Sequence, residues 1–215
     1  MDYTDSINFY CKLLGTCCTH NQVSLTPFDI FILANHLEVP ANFLYKNKLI
    51  SYIINKNDYW MEPVINLKNE VCPFLFFKND SERICEIHES RPTVCRIYPL
   101  NYNIQFNSYT IPESAKERCR KCFDTDEKVL VNDYIENSEL EERIIFYKDY
   151  IDFKKIIINH GFTLQKIKGK PTQKKQFFKI QEILYEKYPI QFSTQSVFPW
   201  EEMKQEILDV IEFGL

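Results

Sequence analysis

Glycine is scarce in this 215-residue chain: Gly15, Gly161, Gly169 and Gly214 are the full set. No two of them are close enough to form the paired-glycine turn of a dinucleotide site or a phosphate-binding loop, so an ordinary Rossmann-type nucleotide or S-adenosylmethionine domain is not expected. The chain also lacks an H-E-x-x-H zinc pair and a nucleophile elbow, which removes two common hydrolytic signatures. A basic excess is missing as well. Lys and Arg number 26 against 30 Asp and Glu, for a net charge of −4, the wrong sign for a nucleic-acid surface. No window approaches the ~18 apolar residues of a membrane span, and the opening MDYTDSINFYC has two aspartates and no apolar signal core. A cytoplasmic protein with neither nucleic-acid nor membrane partners is expected. No internal repeat occurs, and no cysteine follows residue 122.

The cysteines that are present carry the argument. All eight (Cys11, Cys17, Cys18, Cys72, Cys85, Cys95, Cys119 and Cys122) fall in the first 122 residues. A disulfide scaffold is usually shorter, secreted and richer in cysteine than this, whereas clustered thiols in a reducing compartment point to metal ligation. Three of them lie in the stretch Cys72 to Leu100 at C-x12-C-x9-C spacing. An apolar run (Phe74 to Phe77), a polar turn (Asn79, Asp80, Ser81) and the closing Arg91-Pro92 predict a folded-back ribbon whose ends carry sulfur.

Upstream, a straight helix through Cys11 and Cys18 would hold them ~10 Å apart along its axis, too far to share a metal bound at ~2.3 Å. Gly15 breaks such a helix and predicts a compact loop. Neighbouring side chains diverge in helix or strand, so Cys17 and Cys18 are expected to point apart, one toward metal and the other toward a core or second site. His20 reads as a surface loop histidine. Downstream, Cys119-x2-Cys122 lets both thiols address one ion. Five of the six arginines lie between residues 83 and 120, and Arg91 and Arg96 are candidates to stand behind a negatively charged thiolate site.

The remaining chain reads as mostly helical. Thr26, Pro27 and Asp29 predict a capped helix start, with Phe28, Phe31, Ile32 and Leu37 on its buried face and His36 packed or exposed. A second helix is expected over Ala41 to Leu49. Residues 51–71 read as extended or irregular, with Pro63 barring a central strand. Tyr102 to Ile111 predicts a hairpin turning at Asn107-Ser108. Asp126 to Ile135 reads as a short helix, Ser138 to Glu141 as a capping box, and Leu140 to Asn159 as a long helix ended by Gly161, with Leu140, Ile144, Tyr147, Ile151 and Ile158 buried. A basic connector, Lys166 to Lys175, precedes helices near Gln173 to Lys187 and Pro199 to Glu212. The expected fold class is α+β and mostly helical, with a small β-ribbon at the cysteine site (residues 1–123) and a helical C-terminal region (residues 124–215).

Taken together, Cys11-x5-Cys17-Cys18, Leu25-Thr-Pro-Phe-Asp-Ile30, Cys72-Pro-Phe-Leu and Cys85-Glu-Ile-His-Glu-Ser-Arg-Pro-Thr-Val-Cys95-Arg-Ile-Tyr-Pro resemble the YkgJ-type cysteine-cluster family. That family is described as zinc- or iron-chelating, and its pattern also occurs in flagellin lysine methylases. The resemblance implies an iron–sulfur cluster or zinc held by Cys17, Cys18, Cys72, Cys85 and Cys95, with Cys119, Cys122 and Cys11 as further ligands. The family opens C-x2-C-x2-C-C, and its second cysteine position is Leu14 here. Two other functions stand beside metal binding: protein lysine methyl transfer, and a zinc-stapled interaction module that docks a protein partner through the C-terminal helices.

Overall fold

The computed structural model describes residues 5–12, 14–79, 82–103, 106, 108–136, 140–187 and 197–214. Its strands in chain order are β1 (Ser6–Asn8), β2 (Ile50–Ile54), β3 (Met61–Ile65), β4 (Leu75–Phe77), β5 (Arg83–Cys85), β6 (Asn101–Asn103), β7 (Ser108–Thr110) and β8 (Lys128–Leu130). Its helices are α1 (Pro27–His36), α2 (Ala41–Lys46), α3 (Thr93–Arg96), α4 (Glu113–Arg118), α5 (Arg120–Phe123), α6 (Val131–Glu136), α7 (Leu140–Asn159), α8 (Pro171–Glu182) and α9 (Trp200–Phe213). The class is α+β and mostly helical, as expected. None of the helices among the described residues is long and apolar enough to cross a membrane.

The chain gathers into two compact units, residues 1–23 with 67–145 and residues 24–66 with 146–215. Compactness therefore divides the chain differently from the composition change near residue 123. Residues 24–66 carry no cysteine, and their apolar side chains join those of the C-terminal helices in one unit.

In the first unit, every sheet is a pair of three-residue antiparallel strands. β1 pairs with β8 with Ile7 opposite Val129, β4 with β5 with Phe76 opposite Ile84, and β6 with β7 with Tyr102 opposite Tyr109. Strands this short do not hold alone. The β1–β8 and β6–β7 pairs are held by a core of Ile7, Phe9, Ile97, Leu100, Tyr109 and Val131, joined by Ile135, Leu140 and Ile144. The stretch read as one helix from Asp126 begins instead as strand β8, because Ser6–Asn8 supplies a partner far away in sequence and ladder pairing overrides local preference. The ribbon expected after Cys72 is the β4–β5 hairpin. Its apolar run splits, with Phe74 and Leu75 buried but Phe76 and Phe77 52% and 54% exposed. The Asn79 side chain accepts from the Glu82 N–H at 2.8 Å, while Asp80 and Ser81 lie outside the described residues. So do Ile104, Asn107 and the capping-box Ser138.

The second unit begins with α1 and its expected capping box. Thr26 Oγ1 accepts from the Asp29 N–H at 3.1 Å, and the Asp29 carboxylate accepts from the Thr26 N–H at 2.9 Å. Its deepest residues are Ile30, Phe31, Leu33 and Ala34; Phe28, Ile32 and Leu37 are only half-buried, and His36 is exposed. The helix after it is shorter than expected and leads into the β2–β3 hairpin, where the sequence suggested extended or irregular structure. Pro63 is tolerated within β3 because a two-stranded ladder has only edges, and its carbonyl accepts from the Leu25 N–H at 2.8 Å.

α7 has the expected bounds, and the later half of its buried stripe runs through Tyr150, Phe153 and Ile157 rather than Tyr147, Ile151 and Ile158. α8 starts at Pro171, which fits the first helical turn, and continues as a π-helical turn over Ile183–Lys187. Trp60, Phe177 and Tyr185 fill the centre, with the indole N–H donating to Tyr185 Oη at 3.0 Å. Lys154 is buried and paired with Asp58 at 2.9 Å and Glu62 at 2.8 Å.

Candidate metal centre

The site is assembled from two stretches of the first unit. Gly15 adopts a left-handed conformation (φ 64°), and the chain then tightens into a 3₁₀ turn, Thr16–Cys18, with the Cys18 N–H donating to Gly15 O at 3.0 Å. A Cβ at Gly15 would stand 2.9 Å from Arg83 Cδ and 3.1 Å from Leu75 Cδ1, so glycine is also required by the close approach of the β4–β5 hairpin. The turn does what neither helix nor strand does: it brings the Cys17 and Cys18 sulfurs to 3.7 Å. The expectation that these neighbours diverge is therefore corrected.

The second stretch is tied to the first through the backbone. The Cys72 N–H donates to Cys18 O at 2.8 Å, and Thr19 bridges to Val71. The hairpin then carries the chain out along β4 and back along β5, leaving Cys85 opposite Leu75. At both Cys72 and Cys85 a backbone N–H two residues downstream, from Phe74 and from Ile87, donates to the sulfur. Such N–H···S bonds favour the thiolate over the thiol.

The four thiols sense one another. Cys17 is lowered to about 7, first because the Cys18 thiol donates to it and also because the Arg91 charge is near. Cys18 is pushed far up, first by donating that hydrogen bond, then by burial and by repulsion from Cys17, Cys72 and Cys85. Cys72 rises to about 11 and Cys85 rises as well, both chiefly through burial, with Arg91 opposing the rise at Cys85. Arg91 is anchored by its Nε–H to His88 O at 2.9 Å, and its own carbonyl accepts from the buried Arg143 at 3.0 Å. Arg96 is buried and donates to Glu89 O, so it shapes the turn before α3.

The other sequence candidates are Cys95, Cys11, Cys119, Cys122 and His20. Cys95 is half-buried on α3, with its N–H donating to Pro92 O at 2.8 Å. Cys11 is exposed, on the side where Tyr98 and Tyr134 feel both its charge and that of Cys17. Cys119 and Cys122 are 5% and 1% exposed in the core cluster and are joined to each other by a disulfide. His20 is exposed, with its Nδ1 2.9 Å from the Glu70 carboxylate.

The sequence offers Tyr98 as an aromatic neighbour of the thiols but gives no hint of Tyr134. The Tyr134 hydroxyl donates to Tyr98 O and the Tyr98 hydroxyl donates to Ala115 O at 3.2 Å, locking the segment after α3 beside the thiols. Burial raises both phenols.

The donor set fits a thiophilic metal in kind and number: four soft sulfurs, two of them with N–H donors, and a cation beside them. Two thiolates on one tetrahedral zinc at ~2.3 Å would be ~3.8 Å apart, close to the Cys17–Cys18 separation of 3.7 Å. Among the described residues no group of three or more Cys, His, Asp or Glu side chains stands at metal-holding distance, so the thiols form a loose cluster rather than a closed shell.

Fold and thiols together define a cysteine-cluster metal-binding domain. The chain belongs to the CxxCxxCC family, described as a "putative zinc- or iron-chelating domain", whose model matches residues 10–122. It is also similar to an uncharacterised protein of Methanocaldococcus jannaschii, 24% identical over 152 residues that cover 70% of this chain and 77% of that protein. No solved structure matches the chain.

Proposed function

We propose that Cys17, Cys18, Cys72 and Cys85 hold one tetrahedral metal ion, zinc or iron, and that this ion staples the 3₁₀ turn to the β4–β5 hairpin. The observation that carries this reading is the 3.7 Å approach of the Cys17 and Cys18 sulfurs, the separation of two thiolates on one tetrahedral ion. In a four-iron cluster held by four cysteines each thiolate takes a different iron, which a vicinal pair this close does not suit. Bound zinc would supply cross-linking and charge neutralisation without redox chemistry. The chain's own part is to hold four sulfurs in place, direct the Phe74 and Ile87 N–H groups at two of them, and set Arg91 against the excess negative charge. Six of the eight cysteines are free thiols despite the Cys119–Cys122 disulfide, which suits a reducing compartment, and we assign the protein to the cytoplasm.

Anaerobic purification followed by metal analysis and an absorption spectrum tests the reading. About one zinc or iron per chain is expected, falling steeply in Cys17→Ser, Cys72→Ser and Cys85→Ser. Stoichiometric absence of both metals would overturn it. So would several irons per chain together with sulfide and broad visible absorption, which is the signature of a cluster.

A further inference from the structure

Between Asp152 and Glu182 the chain has eight lysines and no acidic residue, although the whole carries a net charge of −4. Three of the eight are already satisfied: Lys154 by Asp58 and Glu62, Lys155 by Asp152, and Lys179 by Glu182. Further along, Lys187 meets Glu206 and Lys204 meets Asp149 and Glu201. The other five, Lys166, Lys168, Lys170, Lys174 and Lys175, are exposed, and among the described residues their ammonium groups form no ion pair.

Their placement is ordered. Pro171, Lys174, Lys175, Phe178, Lys179 and Glu182 recur at helical spacing and line one open groove on the outer face of α8. The groove's surface is mostly apolar, and Phe178 is 44% exposed in it. The turns that carry Lys166, Lys168 and Lys170 lead directly into this face. The arrangement is an apolar strip between ammonium groups, running ~18 Å along a helix of 12 residues.

We propose that this face docks an acidic peptide segment bearing an apolar side chain, whose carboxylates meet the lysines while its apolar group covers Phe178. Charge complementarity selects an anionic occupant, since Lys174 and Lys175 line the groove and Lys166, Lys168 and Lys170 lie on the chain that leads into it. The apolar strip selects a peptide over a single-stranded nucleic acid, because the groove offers one aromatic ring rather than successive stacking platforms and the chain as a whole is acidic. A membrane surface is disfavoured by the same net negative charge and by the single exposed aromatic ring in the groove. The proposal is independent of the metal centre, as every residue it uses lies in the second unit.

Fluorescence anisotropy of the full metal-loaded chain with a labelled peptide of alternating glutamate and leucine tests it. Micromolar binding at low salt is expected, weakening steeply as salt is raised. The double variants K174E/K175E and K166E/K168E each should weaken it by about tenfold or more, because like charges then face the peptide. F178A should weaken it by roughly three- to tenfold at unchanged salt dependence. All these positions are exposed, and circular dichroism with metal content confirms that the variants are folded. No binding of the peptide overturns the proposal, as does binding indifferent to both charge reversals. Single-stranded RNA or phosphatidylserine vesicles binding more tightly than the peptide, with loss in the same variants, also overturns it by reassigning the face.

Discussion

Cys17 has the chemistry of a thiolate and its three neighbours have the chemistry of thiols. With Cys17 lowered to about 7 and Cys72 raised to about 11, Cys17 is the most readily ionised of the four in the metal-free protein near neutrality. The signs are opposite. A lowered folded-state value gives stability that is complete above the ordinary thiol range and is lost as pH falls through about 7. The raised values at Cys18, Cys72 and Cys85 give stability present below the ordinary range and lost as pH climbs toward each raised value. The proposed four-thiolate site would need all four deprotonated, so zinc added to metal-free protein at pH 7 should release about three to four protons per ion, half of one from Cys17 and one from each of the others. Proton release measured with an indicator dye in weak buffer checks this, and a value near two would mean that only a pair of thiols ligates. Alkylation of the metal-free protein should modify Cys17 ahead of Cys18, Cys72 and Cys85 and follow a midpoint near pH 7. Peptide mapping after brief iodoacetamide treatment gives that order. Spacing and the family resemblance made all eight cysteines candidates without separating these four from Cys95, Cys11, Cys119 and Cys122, and they did not show the pairing of Cys17 with Cys18, because the direction of adjacent side chains depends on a left-handed residue and a 3₁₀ turn that spacing does not encode.

At the scale of elements, the site depends on how closely a turn approaches a hairpin. Gly15→Ala puts a Cβ against Arg83 and Leu75 and forces a side chain onto a positive φ, so it should cost about 1 to 3 kcal/mol and weaken metal retention together with melting temperature. A competition titration against a chromophoric chelator, run beside thermal melts, separates this from an effect on stability alone. α1 offers a control remote from the thiols in sequence. Its cap is buried and reciprocal, so Thr26→Ala should cost about 1 to 2 kcal/mol in a denaturant melt while leaving metal stoichiometry unchanged. The cap was legible in the sequence because Thr26, Pro27 and Asp29 act within one turn of chain. The bounds of α7 were legible for a similar local reason. Strand β8 was not, since Lys128–Leu130 becomes a strand only through Ser6–Asn8, and no local pattern announces a partner more than a hundred residues away. The sequence read residues 51–71 as extended or irregular but not as a paired hairpin, because Pro63 argues against a central strand, while a two-stranded ladder has no centre.

The two units of the molecule rest on different sources of stability. The second is built on helices of 10 to 14 residues (α1, α8 and α9), much of α7, and an aromatic core that includes Trp60, Phe177 and Tyr185. The first is built from three-residue strands and, before α7, helices of four to six residues, lengths at which neither ladder nor helix persists without outside support. Metal binding energy in a site assembled from separate stretches of chain is folding energy, so the first unit should depend on the ion and the second should not. Hydrogen–deuterium exchange read by mass spectrometry, before and after chelation under reducing conditions, tests this on the full chain. Amides of residues 14–23 and 67–103 should lose protection by about tenfold or more once metal is removed, with the β4–β5 hairpin among the first to open. Amides of α1, α8 and α9 should keep theirs. Equal loss in both units would mean that the ion supports the chain as one cooperative whole, and no loss in either would mean that the thiols hold no structural metal.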